Sequence, residues 1–201
     1  MTKISNLDEL LDAAARVFTD KGYTNARLED IANEVGMLKG SLYYHVGSKA
    51  DLLRLVRMRR FVEIAEALEH IAELPGEPRD KLRQAIRRHL EFITLYIAES
   101  PQWFRNPTYT DQSTGEGPEE HDLLNRLIGA FKRIIDEGVE DGTISSSIDR
   151  TVFVMSTLGM CNWVSRWYDS DGPNTIDEIA DIQFDLLWSG VTTPAAATEA
   201  D

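Results

Sequence analysis

Apolar residues recur along this chain every three or four positions, and no stretch alternates apolar and polar residues as a half-buried strand would. The pattern predicts an all-α protein. Leu7, Leu10, Leu11, Ala14 and Phe18 share one face of a first helix that starts at Asn6 or Leu7 and runs to Lys21. Gly22 ends it, since glycine tolerates a left-handed C-cap. A short helix over Leu28–Val35 carries Leu28, Ile31, Ala32 and Val35 inward and closes at Gly36, and another short helix covers Lys39–Val46. Ser48, with Asp51 three residues on, reads as the N-cap of a long helix to about Glu73. LPGEPRD (Leu74 to Asp80) breaks the chain with two prolines. The next helix, to Glu99, carries a stripe of Leu82, Ala85, Ile86, Leu90, Ile93 and Ile97. After a polar loop, a helix over Glu119–Asp141 is expected to bury Leu124, Leu127, Ile128, Phe131, Ile134 and Ile135. Ile148–Tyr168 and Thr175–Val191 form the last two helices, and the small polar residues 192–201 are expected to be a disordered tail.

Two short helices joined by a glycine-bearing turn fit a helix-turn-helix, whose second helix lies in the major groove of DNA. Here that helix begins at Lys39, which can reach a phosphate or guanine. Gly40 keeps its start thin, and Ser41 can bond a phosphate or a base edge. Tyr44 offers a flat apolar face with a hydroxyl tip, and Tyr43 offers the same or packs the small domain. His45 can donate to a phosphate, and Lys49 brings charge to the first turn of the following helix. Leu42 is core. The geometry alone leaves DNA binding open, because helix-turn-helix pairs also occur in proteins that never touch DNA.

Charge sharpens the picture. The chain is acidic, net −13, yet Gly36–Arg60 holds six basic residues and one acidic residue. A basic segment in an acidic chain points to an anion contact there or to a solvated basic helix.

Residues 7–53 resemble the DNA-binding domain of the TetR family of bacterial transcription regulators. The resemblance rests on the alanine-rich first helix ending in Phe18, Gly22 and Tyr23, on Asp30-Ile31-Ala32, and on the run from Gly40 through Ser41, Leu42, Tyr43, His45, Ser48 and Lys49 to Leu52. It implies DNA contacts by Arg27, Lys39, Ser41, Tyr43, Tyr44, His45 and Lys49. Leu38 stands where many relatives carry serine, and Val46 where they carry phenylalanine. The basic arm of relatives is reduced to Lys3. The architecture expected is a helix-turn-helix domain over residues 1–48, a helical-bundle ligand-binding and dimerisation domain over residues 49–191, and the tail.

The last two helices are apolar almost all round. One carries Val152, Phe153, Val154, Met155, Leu158, Met160, Trp163 and Val164; the other carries Ile176, Ile179, Ile182, Phe184, Leu186, Leu187 and Trp188. Helices apolar on every side must be covered on every side, either by a second chain or within a monomeric core. The TetR resemblance favours a homodimer through these two helices.

Candidate effector residues are polar groups on apolar stripes and aromatics beside the loop. His89 is a satisfied core histidine or a ligand contact, and Asn162 lies on the facing stripe. Arg166 holds a ligand anion or pairs with Asp169, Asp171 or Asp177. Trp103, Phe104 and Tyr109 flank the polar loop as a gate or a core cluster, Phe131 is core or pocket wall, and Trp163 and Trp167 stand beside Arg166. Trp163, Trp167-Tyr168, Gly172-Pro173 and Gly190-Val191 are similar to TetR members linked to acyl-CoA or steroid-CoA breakdown. That resemblance implies an acyl-CoA effector, with a free fatty acid, steroid or drug-like compound as the alternative.

No H-E-x-x-H, G-x-S-x-G or phosphate loop is present, so no enzyme, cofactor or metal is expected, and Glu119–Asp122 reads as a helix start. Cys161 lies in an apolar run as an inert buried thiol. No signal peptide or membrane span is legible. The expectation is a cytoplasmic, ligand-released repressor that binds a double-stranded palindromic operator.

Overall fold

A computed structural model describes residues 7–99 and 118–192. Trp103, Phe104 and Tyr109, and the expected tail beyond Thr192, lie outside the described residues. The described chain is helical, with one isolated antiparallel bridge between Ile144 and Thr192. It divides into two compact units, and the division falls within the long fourth helix, after Glu63.

The first unit contains α1 (Leu7–Asn25), α2 (Leu28–Glu34), α3 (Lys39–His45) and the start of α4 (Lys49–Glu73). Gly22, at φ 72° and ψ 149°, interrupts α1 in a region that essentially only glycine adopts. The turn after α2 is a Schellman motif. The Met37 N–H donates to the Ala32 carbonyl at 2.8 Å and the Gly36 N–H to Asn33 at 3.1 Å, with Gly36 left-handed at φ 67°. Phe18, Ile31, Leu42 and Leu52 are fully buried where α1, α2, α3 and α4 meet. Leu7, expected on the buried face, is exposed at the first position of α1.

Two contacts tie α4 into this unit. At its start, Ser48 Oγ accepts from the Asp51 N–H at 3.0 Å and donates to the Asp51 carboxylate at 2.7 Å. Next to this cap, the Lys49 ammonium donates to the carbonyls of Tyr23 at 2.7 Å and Ala26 at 2.9 Å, and more weakly to Thr24 at 3.5 Å. It also lies 4.4 Å from the centre of the Tyr23 ring. Further along, Arg59 reaches back to the Asp8 carbonyl at 3.1 Å and the Asp12 carboxylate at 2.6 Å.

The second unit contains the rest of α4, α5 (Pro78–Glu99) as far as Ile93, α6 (Pro118–Glu140) from Asp122, α7 (Arg150–Trp163) with the 3-10 turn Val164–Arg166, and α8 (Ile176–Val191). Leu68, Leu82, Ile86, Leu90, Phe131 and Phe184 are fully buried within it. On α6 Leu127, Phe131, Ile134 and Ile135 are buried as expected, Ile128 is half-buried, and Leu123 is buried in place of the exposed Leu124. Ion pairs bind the helices. Arg126 grips Glu69 with two hydrogen bonds of 3.0 and 2.7 Å, Lys81 pairs with Glu137 at 2.6 Å, and Arg83 pairs with Asp181 at 2.9 Å. Asp149 caps α7, and Thr175 with Glu178 forms a capping box on α8. Ile144 is buried against Gly138, where an added Cβ would lie 2.5 Å from Ile144 Cδ1. Cys161 is buried, and desolvation pushes its thiol up to about 12.

His89 on α5 is buried, 3% exposed, with Nε2 at 3.0 Å from Asn162 Oδ1 on α7. Burial lowers its pKa to about 4 against the bond from Asn162, which raises it, so the ring is neutral near pH 7.

Two outcomes follow. Lys49→Met keeps the apolar stem and removes the carbonyl contacts. It is expected to lower unfolding stability in urea at neutral pH by about 2 kcal/mol, the size of a charged hydrogen-bond set. The second concerns acid. The unfolded chain takes up the His89 proton near 6.5 and the folded chain only near 4. Stability is therefore full above 6.5 and falls as pH drops towards 4. Wild type should lose about 3 kcal/mol more than His89→Gln across that window, measured by urea unfolding at both ends; equal losses would show that His89 is not held neutral.

Candidate functional site

The outer face of α3 is built by what lies beneath it. Leu42 is fully buried and Val46 nearly so, which fixes the rotation of the helix and turns its other positions outward. Gly40 faces open space, since a Cβ added there meets no atom within 4 Å. Ser41 is exposed, Tyr43 is 47% exposed and Tyr44 is 89% exposed. Tyr44 lies four residues after Gly40 and three after Ser41 and so neighbours both on the helix surface, with Tyr43 beside it. Lys39 and His45 occupy the first and last positions of the same helix. Arg27, the exposed N-cap of α2, has its backbone N–H held by the Asp30 carboxylate at 3.0 Å. Leu38 is the N-cap of α3; it makes no side-chain cap bond and is 66% exposed.

The local positive charge sits elsewhere than the sequence implies. Lys49, expected among the phosphate contacts, turns its ammonium inward onto the carbonyls at the end of α1, which takes up its three N–H donors. Arg57 is buried, Arg59 binds Asp12 and Arg60 binds Glu63 at 3.1 Å. Of these α4 cations, Arg59 and Arg60 answer acidic residues on α1 and on α4 itself. Between the two ends of α3, Gly40, Ser41, Tyr43 and Tyr44 offer hydroxyls, aromatic surface and a bare backbone. A depression of about 340 Å³ elsewhere in this unit is lined by Val17, Asp20, Lys21, Asp30, Asn33 and Glu34, and its acidic lining suits no phosphate.

The candidate effector residues separate into two sets. His89 and Phe131 are buried inside the second unit, with Phe131 edge-on to the His89 ring at 6.4 Å, and Asn162, an exposed residue of α7, reaches in to His89 Nε2. Phe92 completes the group at 6.0 Å. Sequence reasoning passed over Phe92 because it lies off the main α5 stripe, although its spacing of three from His89 was the available signal. Trp163 and Trp167 are instead 64% and 51% exposed, and the Arg166 guanidinium lies 6.0 Å from the Trp163 ring centre. Asp177 pairs with Arg87 at 3.3 Å rather than with Arg166. These three residues stand at the end of an outward strip on α7 that includes Val152 and Met155, beside Ile182 and Leu186 on α8, all exposed. Among the described residues, no helix is long and apolar enough to cross a membrane.

Comparison with known proteins supports this layout. Residues 10–56 match bacterial regulatory proteins of the tetR family, and residues 75–191 match the tetracyclin repressor-like C-terminal domain. The HTH-type transcriptional repressor KstR2 of Mycolicibacterium smegmatis is 27% identical over 197 residues, spanning 94% of this chain and 91% of that one. A transcriptional regulator of the TetR/AcrR family from Thermobifida fusca superposes with a TM-score of 0.75 at 27% identity, covering 91% of this chain and 96% of that chain. The fold is also that of FadR from Bacillus subtilis in complex with stearoyl-CoA, with a TM-score of 0.73 at 19% identity over 92% of this chain and 99% of that one. The N-terminal match contains α3 with its exposed tyrosines and the C-terminal match extends to the end of α8, so the chain belongs to the TetR family of bacterial transcription regulators.

Proposed function

We propose that this regulator is a repressor that binds a palindromic operator as a homodimer and leaves it when an acyl thioester occupies the second unit. The observation that carries the DNA reading is the division of labour on α3: Leu42 is sunk in the core while Gly40, Ser41 and Tyr44 face outward together. In the proposed complex Tyr43, Tyr44 and Ser41 meet base edges and phosphates, Gly40 lets the backbone approach, and Lys39, His45 and Arg27 hold the phosphates on either side. Lys49 acts indirectly, by fixing where α3 sits.

The homodimer reading is supported by the exposed apolar strip of α7 and α8, which includes Val152, Met155, Trp163, Ile182 and Leu186. Large apolar side chains grouped on one surface mark an interface. The two-fold symmetry of a homodimer would set half-sites about 34 Å apart or a multiple of it. Repression and an acyl-CoA effector are supported by KstR2 and by the stearoyl-CoA complex of FadR. Helix α4 contributes to both units. An effector that favours one arrangement of the second unit's helices would reach α3 through it, and release needs only that difference in affinity.

A gel shift with the DNA upstream of the protein's own gene tests the first part. Tyr44→Ala is expected to weaken binding about tenfold or more with unchanged helicity, because the side chain is largely exposed to solvent; undiminished binding would refute this role for α3. Leu186→Glu tests the dimer. Sedimentation should show a folded monomer with much weaker operator binding, since a lone carboxylate in an apolar interface lacks any partner, and a persisting dimer would place the interface elsewhere.

A further inference from the structure

The His89–Asn162 pair is incomplete. Asn162 presents its carbonyl oxygen Oδ1 to Nε2, and a carbonyl oxygen only accepts, so Nε2 carries the proton. In the neutral ring, Nδ1 then bears a lone pair. That nitrogen is buried and, among the described residues, has no hydrogen-bond partner. Buried polar atoms are nearly always satisfied, and leaving one unmet is costly. The rings of Phe92 and Phe131 lie 6.0 and 6.4 Å from the His89 ring and carry no hydrogen-bonding group. The nearby arginines on the same helix are committed outward, Arg83 to Asp181 and Arg87 to Asp177 and Asp181.

We propose that His89 Nδ1 is the hydrogen-bond acceptor for a neutral O–H or N–H group on the effector, with Phe92 and Phe131 against the effector's apolar part. The inference rests on the reading that the second unit binds the effector, and it narrows the chemistry. An acceptor with no cation beside it repels a carboxylate, which has only lone pairs to present. It welcomes an amide N–H or a hydroxyl. Among apolar effectors, an acyl thioester with amides in its carrier arm or a hydroxylated ring system satisfies the site, and an ionised fatty acid does not. Specificity of this kind is strong, because a ligand lacking the donor leaves the buried acceptor unmatched.

The test uses the full-length wild-type protein and three probes of equal chain length: dodecanol, dodecyl methyl ether and dodecanoate. Calorimetry should give dodecanol about tenfold tighter binding than the ether, the size of one buried hydrogen bond, and dodecanoate the weakest. In protein carrying nitrogen-labelled histidine, the His89 Nδ1 resonance should be that of an unprotonated nitrogen and should move on adding dodecanol but not the ether. His89→Phe should bind alcohol and ether alike. Equal binding of alcohol and ether by wild type, tighter binding of dodecanoate, binding of none of the three, or a protonated Nδ1 in the free protein would each overturn the proposal. Equal binding with an unshifted Nδ1 would mean that the nitrogen holds a trapped water only. Operator binding without any probe is scored separately, so failure of the regulator reading is told apart from failure of this one.

Discussion

The reading head depends on one ammonium group. Lys49 gathers carbonyls from the segment between α1 and α2, and its bond to Ala26 closes a loop of chain 23 residues apart in sequence. Both short helices of the helix-turn-helix lie inside that loop. Each is too short to hold itself in water. Their orientation is set by the closed loop, by the Schellman turn at Gly36 and by Leu42 and Val46 in the core. A point charge suits this task. Several carbonyls can converge on one ammonium at the partly buried junction, where the Tyr23 ring adds a further attraction. The same contact ties the first turn of α4 to the junction of α1 and α2.

The second unit is organised differently. Its helices are joined at the rim by arginine–carboxylate pairs such as Arg126–Glu69 and Arg83–Asp181. Its interior is apolar apart from a few polar groups, including Thr157, Gln183 and His89. Thr157 donates to the Phe153 carbonyl, and Gln183 meets both Cys161 and the Met160 carbonyl. His89 differs in having one nitrogen satisfied and the other not. The exposed apolar strip on α7 and α8 shows that this unit does not bury all of its large apolar residues.

Most of the architecture was legible in the sequence because it follows from local rules. Helix period, glycine at φ-positive positions and Ser48–Asp51 capping each act within a few residues, and Gly22, Gly36 and α4 stand where those rules put them. On α6 the buried face stands where period puts it except at its start, where Leu123 and Leu124 are adjacent and period alone does not choose between them. What stayed hidden depends on partners distant in sequence. The Gly36–Arg60 charge count gave no sign that Arg59 answers Asp12, or that Lys49 points into its own domain. His89 was visible as a polar residue on an apolar stripe, but its pairing with Asn162, 73 positions away, and the vacancy at Nδ1 are visible only in three dimensions.

The notch at Gly138 shows how far such long-range terms reach. Even one methyl group at this position would collide with Ile144, whose N–H is bonded to the Gly138 carbonyl at 2.7 Å. Ile144 in turn bridges to Thr192, and the neighbouring Ser145 N–H is held by the Val191 carbonyl. Alanine at position 138 would thus push the Ile144 side chain aside, and any shift of the Ile144 backbone that follows is handed on to Thr192 and Val191 at the end of α8.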